Sequence, residues 1–139
     1  MTIPLLQVEN LRKYFPIRGG VLQRIVDNLK AVDGVSFEVQ ASEVVGLVGE
    51  SGSGKTTVGR TILRLEDATD GAVRFGGTNV MCLGASDMRA YRKRMQIIFQ
   101  DPYASLNPRL TIEQALTEPL AVHRIGSGAS ERRDRVVSL

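Results

Sequence analysis

Residues 44–57 read VVGLVGESGSGKTT and join two different kinds of sequence. The first five, 44–48, form a short continuous apolar run, which is typical of a strand buried on both faces of a parallel sheet. The next nine, 49–57, hold three glycines, two serines, one lysine and two threonines. A loop of this composition adds nothing to a hydrophobic core, so it needs another physical reason.

The spacing of this loop matches the phosphate-binding P-loop, Gly49-x-x-x-x-Gly54-Lys55-Thr56. In that arrangement backbone N–H groups surround phosphate oxygens, and glycine permits their close approach because it has no Cβ. A helix predicted for residues 55–65 adds the positive end of its dipole. The pattern predicts a nucleotide site made by Gly49, Glu50, Ser51, Gly52, Ser53, Gly54, Lys55, Thr56 and Thr57.

Three side chains of this site have predicted roles. Lys55 reaches the β- and γ-phosphates, the Thr56 hydroxyl ligates Mg²⁺, and Thr57 donates to the α-phosphate. The loop alone does not choose among kinases, GTPases and ATPases. The guanine-binding sequence Asn-Lys-x-Asp does not occur. The nearest match to a Walker-B strand, residues 97–101, is interrupted by glutamine, so Asp101 is not assigned as a metal ligand.

The composition describes an ordinary globular chain of 139 residues with 42% hydrophobic residues and a net charge of +3. Its single cysteine, Cys82, excludes an internal disulfide framework. No apolar stretch approaches the ~20 residues of a membrane helix. Aromatic and basic residues do not form a nucleic-acid platform, so no nucleic-acid partner is expected.

Hydrophobic patterning predicts an α/β chain. Strands are expected over residues 5–15, 32–39, 72–75 and 96–100, in addition to 44–48. The segment between the first two, 17–28, is interpreted as a loop with a Gly19-Gly20 turn, because Pro16 ends the strand pattern.

Helices are predicted from capping signals. Ser86 is expected to cap a helix that continues through Arg94. Thr111 with Gln114 predicts a capping box for a helix to about Glu118. A further charged helix is expected to open at Ser130. Its apolar residues begin just where the sequence stops, which indicates the N-terminal part of a longer protein.

Three stretches, GLVGESGSGKTT, GRTILRL and MQIIFQDPYASLNPR, resemble the ATP-binding cassette (ABC) transporter ATPases. Within them, AVDGVSFEV and FQDPYASLNPR look like the oligopeptide/dipeptide importer branch. The likeness covers about residues 5–139. It implies a P-loop NTPase of the ABC ATPase type with an N-terminal antiparallel β subdomain. Residues 1–139 would be the N-terminal part of a single ATP-binding domain, truncated before the signature and Walker-B regions.

The resemblance also implies roles for residues outside the loop. Phe15 would stack on adenine, with Tyr14 as the alternative ring and a simple core position as the other interpretation of Phe15. Gln100 would be the Q-loop glutamine that helps hold Mg²⁺ and the attacking water, and so joins Lys55 as a catalytic residue. The other interpretation of Gln100 is a polar strand end. His123 is expected at the surface.

As a family member, the chain would bind ATP and Mg²⁺ and energise import of oligopeptides, dipeptides or similar solutes. Its partners would be transmembrane permease subunits, met through the Gln100–Arg109 loop, and a second cassette. Its location would be cytoplasmic, peripheral on the inner face of the cell membrane. The signature, Walker B, catalytic glutamate and switch histidine are absent from the sequence, so the chain alone is expected to hydrolyse little ATP. The alternative function is a non-catalytic nucleotide-binding fragment.

Overall fold

The computed structural model describes residues 3–20, 23–101 and 105–139. The chain divides into two compact units, Met1–Met88 and Arg89–Leu139. All four strands that the structure describes lie in the first unit. The strands are β1 Leu6–Gly19, β2 Arg24–Val39, β3 Asp70–Phe75 and β4 Thr78–Asn79. The α-helices are α1 Lys55–Ile62, α2 Ala85–Tyr91, α3 Ile112–Val122 and α4 Ala129–Val137, and a 3₁₀ turn covers Val80–Cys82.

The first unit contains an antiparallel sheet with the strand order β2-β1-β3-β4. This confirms the expected N-terminal antiparallel subdomain. Its core is made of β-branched and aliphatic side chains, as suits a pleated surface covered on one face. The most deeply buried of them are Val8, Leu11, Val73 and Val80.

Helix α1 begins directly after the glycine-rich loop, as predicted, and ends at Ile62. Val58 and Thr61 are its buried residues. The Thr61 hydroxyl donates to the Thr57 carbonyl at 2.7 Å, which satisfies a polar group inside an apolar contact. Helix α1 therefore packs through the face that carries Val58 and Thr61.

Strands β1 and β2 form a long hairpin, so the prediction of a loop over residues 17–28 is wrong. Their ladder runs from Leu6 opposite Val39 to Gly19 opposite Arg24. The turn itself lies where glycine was expected, with the Gln23 N–H bonded to the Gly20 carbonyl at 3.1 Å.

Pro16 is tolerated inside β1 because of its position in the sheet. The pairing of β1 with β3 ends at Arg12 opposite Asp70, so beyond that point β1 has β2 as its neighbour on one side. Proline has no backbone N–H group. It is therefore acceptable in an edge segment, whereas in a central strand it would remove a hydrogen bond of the ladder.

The apolar runs 44–48 and 96–100 were predicted as strands, and the structure assigns neither as one. Val44 is 96% exposed, Val48 94% and Ile98 91%. A buried parallel strand needs hydrogen-bonded neighbours on both edges. Within residues 3–20, 23–101 and 105–139, no strand pairs with either run.

The second unit contains α3 and α4. The predicted capping box is confirmed, because the Gln114 N–H donates to Thr111 Oγ1 at 3.2 Å and the Thr111 N–H donates to Gln114 Oε1 at 2.9 Å. Helix α3 runs past Glu118 and includes Pro119. An Arg133–Glu113 ion pair of 3.1 Å joins the two helices.

Two predicted helix starts shift, that of α4 by one residue and that of α2 by two. Helix α4 begins at Ala129 instead of Ser130, with Gly128 as its N-cap. Helix α2 begins at Ala85, so Ser86 lies inside it and does not cap it; the Met88 N–H bonds to the Gly84 carbonyl at 2.9 Å. In the part of the chain that the structure describes, every helix is too short or too polar to cross a bilayer.

Candidate functional site

The glycine-rich loop packs against strand β2 through its last glycine. Gly54 is the N-cap of α1 and has φ +93°, in the left-handed region that favours glycine. A Cβ at this position would lie 2.2 Å from the carbonyl oxygen of Ala31. Both the backbone conformation and the close approach of β2 therefore require glycine here.

The Lys55 ammonium lies inside the curve of the loop. It donates to the carbonyl oxygens of Gly49 at 2.7 Å and Glu50 at 2.6 Å, and lies 3.4 Å from Ser53 Oγ. The loop is closed by a turn in which the Ser53 N–H bonds to the Glu50 carbonyl at 3.2 Å. Since these are uncharged oxygens, the positive charge of the lysine is left for an anion.

The start of helix α1 presents backbone donors next to that charge. The first intrahelical bond joins the Val58 N–H to the Gly54 carbonyl at 2.9 Å. The four N–H groups that precede it, on residues 54–57, have no acceptor inside a helix. Together with the helix dipole they suit a phosphate group.

A cavity of about 490 Å³ lies beside these donors. This volume falls in the range of small-molecule sites, roughly 300–1,000 Å³. One wall comes from the loop and the start of α1, over residues 52–57. The other comes from the hairpin and consists of Phe15, Leu29, Lys30 and Ala31. The first wall is polar and the second is apolar apart from Lys30, which suits a ligand with a charged end and a flat apolar end.

The two candidate aromatic rings have different surroundings. Phe15 lines the cavity, lies opposite Leu29 in the β1–β2 ladder, and has the Lys13 Nζ 4.7 Å from its ring centroid. Tyr14 is not a lining residue and its hydroxyl donates to the Asp33 carboxylate. Of the two rings, only that of Phe15 is placed to meet a bound ligand.

The Tyr14–Asp33 hydrogen bond changes the acidity of both groups. It raises the pKa of the Tyr14 phenol, because the hydrogen bond that the phenol donates to the carboxylate stabilises the protonated phenol. It lowers the pKa of the Asp33 carboxyl, helped by the hydrogen bond from Lys30 at 3.2 Å. These residues form an exposed polar network beside the cavity wall.

Three lining residues, Leu29, Lys30 and Ala31, were missed by the sequence analysis. The signal that could have found them is cross-strand register, since Leu29 lies opposite Phe15 and Lys30 opposite Tyr14. Interpreting residues 17–28 as a loop hid that register.

The remaining site residues have no role in lining the cavity. Gly49 and Glu50 hold Lys55, and a Cβ on Gly49 would lie 2.6 Å from Ser53 Oγ, so a larger residue here would displace the Ser53 hydroxyl. Ser51 lies at the exposed tip of the loop. These residues were predicted to bind the nucleotide. In the structure they shape the loop and do not line the cavity.

Thr56 is the predicted protein ligand of a magnesium ion in the first unit. Thr56 is exposed and lines the cavity, and its hydroxyl oxygen is of the type that Mg²⁺ accepts. No group of three or more His, Cys, Asp or Glu residues that could hold a metal occurs among residues 3–20, 23–101 and 105–139. The donor set therefore fits an ion held mainly by nucleotide phosphates and water.

Gln100 belongs to the second unit, where it is an exposed bend residue. In the segment after it, the Ser105 hydroxyl donates to the Asp101 carbonyl at 3.1 Å and the Arg109 N–H to Asn107 Oδ1 at 3.0 Å. These bonds are typical of turns, in agreement with a loop. Residues 102–104 of the proposed partner-binding loop lie outside the described residues. His123, expected at the surface, is half-buried at the C-cap of α3.

Comparisons with known proteins agree with this geometry. The family model described as ABC transporter matches residues 32–138. The oligopeptide transport ATP-binding protein AppF of Bacillus subtilis is 45% identical over 97% of this chain and 41% of its own length. A putative peptide import ATP-binding protein of Brucella ovis is 51% identical over 95% of this chain and 39% of its own length. The chain thus spans about two fifths of the curated relatives it matches.

Among solved structures, the ATP-binding cassette MJ0796, a dimer in a post-hydrolysis state bound to ADP and Pi, superposes with a TM-score of 0.74. It is 26% identical, and the match covers 96% of this chain and 54% of that one. The family match extends from β2 to the end of α4 and includes the whole phosphate-binding loop. Sequence, fold and loop geometry lead to one conclusion: this chain belongs to the ABC transporter family.

Proposed function

We propose that the chain binds Mg-ATP in the cavity between residues 49–57 and the β1–β2 hairpin, as part of a subunit that energises the import of peptides or similar solutes. The observation that carries the proposal is the Lys55 ammonium held inside a loop that opens onto the free N–H groups of α1. The peptide substrate class rests on the printed names of the relatives, which are oligopeptide transport and peptide import proteins.

The proposed binding mode assigns the two walls of the cavity to the two ends of the nucleotide. The triphosphate lies along the polar wall, where Lys55 and the N–H groups of residues 54–57 offset its charge. The purine lies on the Phe15 side, where a flat ring can stack on it without reading its edges. Thr56 supplies the oxygen ligand to Mg²⁺, which would neutralise phosphate charge there.

Phosphoryl transfer depends mostly on positioning and on charge neutralisation. In this proposal Lys55 stabilises the charge that develops on the transferred phosphoryl group. Gln100 would orient the attacking water and help to hold Mg²⁺, a role that the resemblance to the family implies. The second candidate function is a non-catalytic nucleotide-binding fragment, because the sequence contains no signature, Walker-B strand or catalytic glutamate.

The partners follow from the family. Transmembrane permease subunits would contact the Gln100–Arg109 loop, and a second cassette would face the nucleotide. The solved cassette MJ0796 is a dimer, which supports the pairing. A location on the inner face of the cell membrane follows from binding to a permease.

The test is a titration of the chain with Mg-ATP, followed by calorimetry, for the wild type and Lys55→Ala. Loss of a desolvated charge-assisted contact is worth about 1.5–3 kcal/mol, so the expected loss is at least tenfold in affinity. Lys93→Ala is the matched control, since this lysine is exposed in the second unit. Equal affinities of wild type and Lys55→Ala would rule out the assigned site.

A further inference from the structure

We propose that Lys13 is a positioning residue that holds the Phe15 ring in place for the nucleotide base. This inference rests on the proposed ATP site. The Lys13 Nζ lies 4.7 Å from the centroid of the Phe15 ring, within the range of a cation–π contact. Both residues lie on β1, two positions apart, and the short distance from the ammonium to the ring places their side chains on the same side of the strand.

The Lys13 ammonium is held by two residues of the segment that follows helix α1. It donates to the Asp67 carbonyl at 2.8 Å and pairs with Glu66 Oε2 at 3.8 Å. Its side chain is only 14% exposed. A lysine held in this way has lost most of its rotamer freedom already, so its contact with the ring adds no further ordering cost.

The backbone around Lys13 is fixed by the same segment. The Thr69 N–H donates to the Arg12 carbonyl at 2.8 Å, and the Tyr14 N–H donates to Thr69 Oγ1 at 2.9 Å. The register of β1 against β2 shifts between Lys13 and Tyr14, which is where a strand would otherwise be least constrained. The residues after the phosphate-binding helix therefore hold the strand that carries the base-binding ring.

The contact leaves the cavity side of the ring available. Phe15 lines the cavity and Lys13 does not, so the ammonium contacts the ring without forming part of the cavity wall. A cation on one side of an aromatic ring draws electron density towards itself. The opposite side becomes less negative and suits the electron-rich face of a purine.

A second lysine-aromatic pair in the hairpin has a different setting. Lys30 Nζ lies 5.5 Å from the Tyr14 ring centroid, but it is bonded to the exposed Asp33, and Tyr14 does not line the cavity. The proposed function therefore belongs to the anchored pair, Lys13 and Phe15.

The test separates base binding from phosphate binding by using two ligands, Mg-ATP and magnesium tripolyphosphate, which has no base. Dissociation constants are measured for the wild type, Lys13→Met, Lys13→Arg, Phe15→Leu and the double variant Lys13→Met/Phe15→Leu. We expect Lys13→Met to weaken ATP binding about fivefold. Tripolyphosphate binding stays unchanged, and Lys13→Arg retains most of the ATP affinity. In the Phe15→Leu background, Lys13→Met causes no further loss.

Arg74→Met is the matched control, because it removes a basic side chain that pairs with Glu9 at 3.5 Å elsewhere on the sheet. It is expected to leave both affinities unchanged. If Lys13→Met does not fold, Glu66→Gln replaces it in the test, because this change removes the ion pair that anchors Lys13. We expect a smaller loss of ATP affinity than in Lys13→Met and no change in tripolyphosphate affinity. An unchanged ATP affinity in Glu66→Gln would then overturn the inference.

Other outcomes identify which proposal fails. Equal losses for both ligands, or an undiminished Lys13→Met effect in the Phe15→Leu background, would show a general structural role and overturn the inference about Lys13. A Phe15→Leu variant with wild-type ATP affinity would also overturn the inference about Lys13. If Lys55→Ala lost ATP binding in the same experiments, the proposed phosphate site would still stand. A wild type that binds neither ligand would overturn both proposals.

Discussion

The carbonyl oxygen of Ala31 packs directly against the Cα of Gly54. A Cβ added to Gly54 would lie 2.2 Å from that oxygen. Through this contact the antiparallel hairpin fixes the last residue of the phosphate-binding loop. The two walls of the cavity, one from the hairpin and one from the loop, are thereby held at a constant separation. Ala31 contributes its backbone, so the contact depends on the register of β2.

Gly54→Ala is expected to abolish measurable ATP binding. The added methyl group meets the Ala31 carbonyl, and φ +93° costs a non-glycine residue about 1–2 kcal/mol. Gly59→Ala is the control, because Gly59 is inside α1 with open space around it. It should stabilise the helix by about 0.5–1 kcal/mol. Calorimetry with Mg-ATP and thermal unfolding measure the two effects; retained ATP binding in Gly54→Ala contradicts the prediction.

Leu29→Asp is expected to weaken ATP binding about tenfold, since a carboxylate on the apolar wall opposes the base and repels the triphosphate. Leu29 is 58% exposed, so the change has little effect on folding. Ile25→Asp serves as the control: Ile25 lies on the same strand, is 61% exposed and does not line the cavity. Similar affinities of the two variants would show that Leu29 is not part of the ligand site.

The Tyr14–Asp33 hydrogen bond predicts a pH-dependent contribution to folding. The pKa of Asp33 is lowered in the folded state, so its contribution is present above the usual carboxyl pKa of 3.8 and is lost as pH falls through the lower folded value. The pKa of Tyr14 is raised, so its contribution is present below the usual value of 10.0 and is lost as pH rises through the higher folded value.

Denaturant unfolding of the wild type and Tyr14→Phe at several pH values measures this contribution. The difference in free energy of unfolding between them should be constant between about pH 5 and 9 and should shrink towards both extremes. A difference that does not change down to about pH 2 would contradict the assignment of the bond to ionised Asp33.

Under the proposed function, the 139-residue chain by itself is expected to hydrolyse ATP little or not at all, because its sequence holds no signature, Walker-B strand, catalytic glutamate or switch histidine. A coupled phosphate-release assay measures the turnover. Turnover comparable to that of complete cassettes, abolished by Lys55→Ala, would contradict this prediction and the alternative of a non-catalytic fragment.

Local sequence features predicted their own structures well. Helix α1 begins at Lys55 because the glycine before it adopts a left-handed conformation, and α3 begins after Thr111 because of a reciprocal capping box. These interactions join residues within four positions of each other, so sequence spacing alone specifies them. The antiparallel character of the first unit was also predicted correctly, from the resemblance to the ABC transporter ATPases.

Long-range pairing was predicted poorly. Continuation of the hairpin past Pro16 depends on where the pairing of β1 with β3 stops, and no local pattern encodes that point. The apolar run 44–48 has the composition of a buried strand, yet a strand forms only beside a hydrogen-bonded partner, and no described strand pairs with this run.

The sequence by itself determined the phosphate cradle and the family, because the spacing of glycines, lysine and threonine sets which backbone and side-chain groups one loop can present. Only the tertiary structure decided what faces that cradle. Phe15, Leu29 and the anchored Lys13 reach the site through cross-strand register and through contacts with the segment after α1. Such contacts join residues up to 54 positions apart, and their geometry is set by the packing of the sheet on the helix.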